Sequence, residues 1–213
     1  MSDNVKRRYE APVRAERAAA TRSAVLAAAR ELFVARGYAG TGVGDIAALA
    51  GVSVDTVYSS VGRKPVVLRA LVESALSGTD HAVPAAERDY VIRVRAAPTA
   101  REKIGLYADA ITSIHGRLAP VFLALRDAAA GDPDCAALWR GIAERRARNM
   151  LDFAADLRAT GDLRDDLTDR QVADVVWSTN AVEYWVLLVH ERGWTPEEFR
   201  EWIADSWTRL LLA

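Results

Sequence analysis

Between residues 41 and 64 the chain gathers small hydroxyl side chains, one phenol and two adjacent cations: Thr41, Ser53, Thr56, Ser59, Tyr58, Arg63 and Lys64. Their chemistry is hydrogen bonding and charge neutralisation. Hydroxyls, a phenol and cations are suited to phosphate oxygens, and phosphate contacts orient a protein on a nucleic acid without reading its sequence. Thr56 can bond a base or a phosphate, and Val54 can touch a thymine methyl. Asp55 is the exception in this set, because phosphates repel it. It must point away or accept from a cytosine amino group. The backbone N–H groups near Thr41 and Gly42, at the start of a helix, add a further phosphate site. Simpler roles stay open: Thr41 and Ser53 as helix caps alone, and Tyr58 as an aromatic at the core edge.

The elements that must hold these residues are legible in the spacing. Residues 1–13 are polar and basic, with Lys6, Arg7 and Arg8 together, and read as a flexible arm that could enter a minor groove. Residues 14–36 are rich in helix formers, with Val25, Leu26, Ala29, Leu32 and Phe33 on one face and Gly37 to end the helix. Thr41 is expected to cap a helix over 42–50 with Val43, Ile46, Ala47 and Ala50 inward, and Ser53 one over 54–60 with Val57 and Val61 inward. Only Gly51, Val52 and Ser53 separate them, the turn length of a helix-turn-helix. A fourth helix is expected over 64–76, with Pro65 in its first turn. In that arrangement the second of the two short helices enters a major groove, with its N-terminal residues toward the bases.

Residues 21–72 resemble the TetR family of bacterial repressors. The matching positions are Phe33, Gly37-Tyr38, Thr41, Ile46-Ala47, Ala50-Gly51-Val52-Ser53, Thr56-Val57-Tyr58 and Lys64. Asp55 departs from a position that is small in many members, and Val61 stands where a Phe is common, four residues before Pro65. The resemblance implies an all-α chain whose N-terminal three-helix helix-turn-helix domain binds operator DNA. It also implies a C-terminal helical bundle that dimerises and senses a small molecule. Residues 1–77 are expected to form the head and 78–213 the body.

In the body, helices are expected over 99–115, 117–130, 133–160, 168–192 and 196–212, separated by Gly116, Gly131, Gly161 and Gly193. Asp132, Thr168 and Thr195 read as their caps, while 77–98 lacks sustained periodicity and marks the boundary. The 168–192 and 196–212 helices are apolar on more than one stripe. Pairing them with their symmetry mates would cover both in a homodimer, with Trp185 in the interface. A dimer predicts a palindromic operator. Trp177, Asn180 and Tyr184 share one face of the 168–192 helix. With Trp139, Ile142, Met150, Phe153, Tyr107 and His115 they could line a cavity for a small apolar or aromatic effector, a filled core being the alternative. The arginines Arg145, Arg146 and Arg148 read as a solvated helix face from which one could meet an anionic ligand.

Composition agrees with this reading. Residues 1–77 carry eleven Lys/Arg against seven Asp/Glu, and the rest 17 against 22, so a basic head precedes an acidic body. No apolar run is long enough to span a bilayer and no secretion leader opens the chain, so a cytoplasmic protein without a membrane partner is expected. One cysteine, Cys135, excludes an internal disulfide and a multi-cysteine metal site. Gly40, Gly42 and Gly44 lack the spacing of a phosphate loop, and Trp194 occupies the second ligand position after His190-Glu191. Neither catalysis, a metal nor a cofactor is expected. Two other classes remain open: a DNA-binding activator or architectural protein without a ligand, and a ligand-binding or catalytic helical protein whose head has lost DNA.

Overall fold

A computed structural model describes residues 3–79 and 83–213, with side chains from residue 14 onward. The fold is all-α. The head comprises α1 (Asp3–Arg36), α2 (Val43–Ala50), α3 (Val54–Ser60) and α4 (Lys64–Ser77). A 3-10 turn (Ala85–Glu87) leads into α5 (Asp89–Ala96), then α6 (Ala100–Ala129), α7 (Pro133–Arg158), α8 (Asp169–Thr179), α9 (Val182–Trp185) and α10 (Pro196–Leu211). Among the described residues the sole β feature is an isolated antiparallel bridge between Leu163 and Leu212.

The head closes around one apolar seam. Val25, Ala29 and Phe33 of α1 meet Ile46 of α2, Val57 of α3 and Leu68 of α4, all essentially inaccessible to water. Burying each large side chain contributes about 1.5–3 kcal/mol, which is what holds helices as short as α2 and α3 in place. Gly51, at φ +68°, adopts the left-handed turn that separates them. Arg22 of α1 donates from Nη1 to the Ser60 carbonyl at 3.0 Å and ties down the end of α3.

The ends of the elements differ from expectation in instructive ways. α1 begins at Asp3 rather than near residue 14, so the helix takes in the segment read as an arm. The side chains of Lys6, Arg7 and Arg8 lie outside the described residues, and with them the minor-groove reading. Thr41 is 1 % exposed, and its hydroxyl faces the Leu32 and Gly37 carbonyls at 3.2 and 2.9 Å. It therefore closes the end of α1, and Gly42 stands at the N-cap of α2. Gly116 does not divide the body: α6 runs through both Gly116 and Pro120. The Trp185 ring lies 3.7 Å from where a β-carbon on Gly116 would sit, an ordinary packing distance.

The 168–192 segment is not one helix. α8 stops at Thr179, the chain restarts as α9, and a π-helical stretch (Val186–Glu191) follows. Ser178 and Thr179 supply the reason. Their hydroxyls bond back to the Val175 carbonyl at 3.0 and 2.6 Å, competing with the helical ladder. Thr179 also accepts from the Trp207 indole N–H at 2.7 Å, which anchors the break on α10. Asp132, Thr168 and Thr195 do cap α7, α8 and α10. α10 buries Phe199, Ile203, Trp207 and Leu211, one residue per turn, against α6 and α8. The apolar core continues from head to body without interruption.

Candidate functional site: a helix-turn-helix surface and a cavity

α3 presents its polar residues outward because Val57, inward at the centre of the helix, fixes the rotation of so short an element. Ser53 caps it, accepting from the Thr56 N–H at 3.1 Å, and the two hydroxyls lie 2.8 Å apart. Ser53 thus acts as a cap while remaining exposed, and it orients Thr56. Val54 is 40 % exposed and Tyr58 48 %, so both project from the surface rather than into the core. Asp55 and Ser59 are exposed too, the Ser59 hydroxyl donating to the Thr56 carbonyl at 3.2 Å. At the start of α2 the Gly42 N–H is occupied by the Asp45 carboxylate at 2.8 Å, a local partner that the spacing had not suggested.

Arg63 and Lys64 face two directions. Lys64 Nζ lies 4.0 Å from the Tyr38 ring centroid, and burial lowers its pKa. Tyr38 in turn donates its hydroxyl to Asp132, the cap of α7, at 2.8 Å. That bond holds the Asp132 carboxyl below its usual range, while burial raises the Tyr38 phenol. Arg63, largely exposed, is 3.7 Å from Asp134. With Arg145 of α7 bonded to Glu73 of α4 at 3.0 Å, the junction between head and body is laced by charged and polar pairs.

The body encloses a cavity of about 200 Å³. Leu76 of α4 reaches it, α5 and the turn before it flank it, and α6 and α7 form its walls. Of the residues expected there, Tyr107, His115, Ile142, Met150, Phe153 and Asn180 line it. Trp139, Trp177 and Tyr184 do not. Trp139 packs on Phe122 from outside, and Tyr184 packs on Trp202. Trp177 lies on the surface beneath the Arg146 guanidinium, 5.2 Å from its ring. The break after Thr179 removes the shared face that would have brought Tyr184 into line with Asn180. Trp185, expected at an interface, is buried within the chain against His115 and Phe199.

Arg146 was legible only as part of a charged run, and it is the strongest polar feature of the cavity. Its Nη2 donates to the Trp177 carbonyl at 2.8 Å and to the Asn180 side-chain oxygen. Asn180 donates on to the Tyr107 hydroxyl at 2.8 Å. Burial pushes the Arg146 pKa below its usual value and raises that of Tyr107. Burial, with the Arg146 charge added, pushes the His115 imidazole down to about 3. His115 is 1 % exposed and its Nδ1 has no partner among the described residues.

A short exposed helix behind a three-residue turn is a helix-turn-helix, here carried on a helical body with a cavity. The family described as bacterial regulatory proteins, tetR family, matches residues 25–63. Residues 25–63 are thus a TetR-family helix-turn-helix, and solved structures of such regulators share the fold of the chain. FadR from Bacillus subtilis, solved with stearoyl-CoA, is 20 % identical with a TM-score of 0.69, covering 87 % of this chain and 96 % of its own. NalD, the secondary repressor of the MexAB-OprM multidrug efflux pump in Pseudomonas aeruginosa, is 18 % identical with a TM-score of 0.68, covering 90 % and 97 %. A protein described as a transcriptional regulator from Saccharomonospora viridis, solved with choline, is 19 % identical with a TM-score of 0.68, covering 90 % and 97 %. No match was found among curated proteins. No helix among the described residues is long and apolar enough to cross a membrane.

Proposed function

We propose that this chain is a cytoplasmic, ligand-responsive repressor that binds a palindromic operator as a homodimer and leaves it when a small molecule fills the body. The observation that carries the reading is the path of α4. One uninterrupted helix begins at Lys64, four residues after α3, and runs to Ser77, with Leu76 in its last turn lining the cavity. A change in cavity shape therefore acts on a rigid rod attached to the recognition helix. Ligand weakens DNA binding to the extent that it prefers the conformation whose head spacing does not fit the operator. The stearoyl-CoA and choline bound to two similar structures support a small-molecule role for the body, and NalD supports the sign of the regulation.

In the complex, Val54, Asp55 and Thr56 face base edges, while Tyr58, Ser59, Arg63 and Lys64 hold phosphates. Ser53 contributes by fixing Thr56. With the Gly42 N–H held by Asp45, a phosphate at the start of α2 is met by the N–H groups that follow Gly42, and buried Thr41 supports them from behind. Dimerisation uses α8 to α10, where Leu187 and Leu210 remain about half exposed on the isolated chain.

Selection from random genomic fragments by the purified protein, across a salt series, tests the proposal. Recovery of one palindromic motif, with affinity falling steeply as salt rises, is the expected result. Retention without a motif points to an architectural protein instead. Absence of retention at low salt overturns DNA recognition.

A further inference from the structure

We propose that the effector is an organic monoanion: a carboxylate on an extended apolar body, its head held by Arg146. This rests on the reading of the cavity as the effector site. It departs from the expectation of a small apolar or aromatic effector and takes up the other reading of the arginine run, that one of them meets an anionic ligand.

Three observations carry it. The first is the state of Arg146. Both of its hydrogen bonds use Nη2 and end on neutral oxygens, those of Trp177 and Asn180. Among the described residues it forms no ion pair, while the neighbouring Arg145 is satisfied by Glu73. Nε and Nη1 remain for an incoming group, and a guanidinium fork matches a carboxylate with two parallel bonds. Arg146 is half-buried, and the Glu183 charge meets only part of the cost of that burial; a bound carboxylate offsets the rest.

The second is the balance of charge around the cavity. Arg88, Arg95, Arg145 and Arg146 line it with Asp152 and Asp156. Glu73 engages Arg145, and Lys103 engages Asp156 at 3.0 Å, which leaves an excess of positive charge. A quaternary ammonium would meet that excess with repulsion. A neutral alcohol would leave the guanidinium uncompensated.

The third is the arrangement of polar and apolar walls. Ile111, Ile114, Leu118 and Phe122 form a single stripe along α6 at helical spacing, and all line the cavity. His115 stands beside Ile114 with Nδ1 unpartnered, in a site that also contains the Asn180 and Tyr107 groups. The imidazole bonds the Asn180 backbone and stays neutral, so it adds no charge beside the head group and Arg146 alone meets the carboxylate. The apolar body of the ligand then follows the α6 stripe.

The test compares decanoate, decanol and decyltrimethylammonium, which share a chain and differ in head group. Binding to the full-length protein is read by calorimetry, with R146Q and R146K beside the unmodified chain. Decanoate is expected to bind at least about tenfold more tightly than decanol, the value of one charge-assisted pair. R146Q should remove that preference while decanol affinity stays within about threefold, which also shows that the cavity is intact. R146K should retain part of it, since it keeps the charge but loses the fork. Tighter binding of decanol or the ammonium than of decanoate overturns the carboxylate proposal and leaves the effector site standing. Binding of none of the three overturns both. An unchanged decanoate preference in R146Q also overturns the assignment to Arg146.

Discussion

The head and the body solve opposite problems with polar side chains. On α3 the functional groups are exposed, and their partners lie within a few residues: Ser53 with Thr56, Ser59 with Thr56. In the body they are buried, and their partners come from distant parts of the chain: Tyr107 with Asn180, Arg146 with Asn180, Lys103 with Asp156. An exposed group facing DNA costs little until DNA arrives. A buried group must be satisfied at all times or wait for a ligand, and an unsatisfied one costs about 1–3 kcal/mol. The head is therefore built to be read by a partner of fixed shape, and the body to be completed by one.

Variants that strike each region separately sharpen this contrast. The largest effect is expected from core truncation. Trp207→Ala removes a fully buried indole and its bond to Thr179, and should cost about 3–5 kcal/mol. Because the core is continuous, thermal unfolding should remain one transition that moves down as a whole. A head that melts at its original temperature would show two independent units instead.

Acid should destabilise the chain through a group in the body. Burial holds the His115 imidazole well below its ordinary 6.5, at about 3. Its neutral form is thus favoured by folding. That contribution is fully present above the unfolded value and is lost as pH falls toward the folded one. Stability should decline by up to about 1.4 kcal/mol per pH unit across this window. In His115→Gln the decline should flatten between pH 6 and 4, measured by urea unfolding at each pH. An equally steep decline in the variant would assign the acid sensitivity elsewhere.

Smaller effects belong to the head and the junction. Lys64→Ala should weaken operator binding and reduce the slope of log affinity against log salt by about 1. Tyr38→Phe removes the bond to Asp132 and should cost about 1 kcal/mol in stability. If that bond transmits the response, Tyr38→Phe should also reduce the effect of ligand on DNA binding while leaving ligand affinity unchanged. Equal coupling in the variant would show that α4 alone suffices.

The same contrast explains what the sequence disclosed. The helix-turn-helix was legible because its caps, turn and apolar face are local: α3 and the start of α4 fall where the spacing places them. Thr41 misled because a hydroxyl before a helix can cap the next element or close the previous one, and burial between Leu32 and Gly37 decided for the latter. In the body, six of the nine residues named from helical faces line the cavity, but Arg146 and the α5 wall were not placed there. Nothing local distinguishes Arg146 from Arg145 or Arg148. Its role arises from Asn180, thirty-four residues away, at a helix break made by Ser178 and Thr179 and anchored by Trp207. Trp185 was placed at an interface for a similar reason, since the partners that bury it, His115 and Phe199, come from other helices.

The central claim is that occupancy of the cavity is felt at the recognition helix through α4, and it can be tested without knowing the effector. Leu76→Trp places an indole in the cavity from α4 itself, and operator affinity is then measured beside the unmodified chain, with unfolding midpoints as a control. The account predicts operator binding weaker by at least about fivefold in a protein that remains folded, the lower end of an allosteric coupling. Unchanged affinity with the indole in place would contradict it.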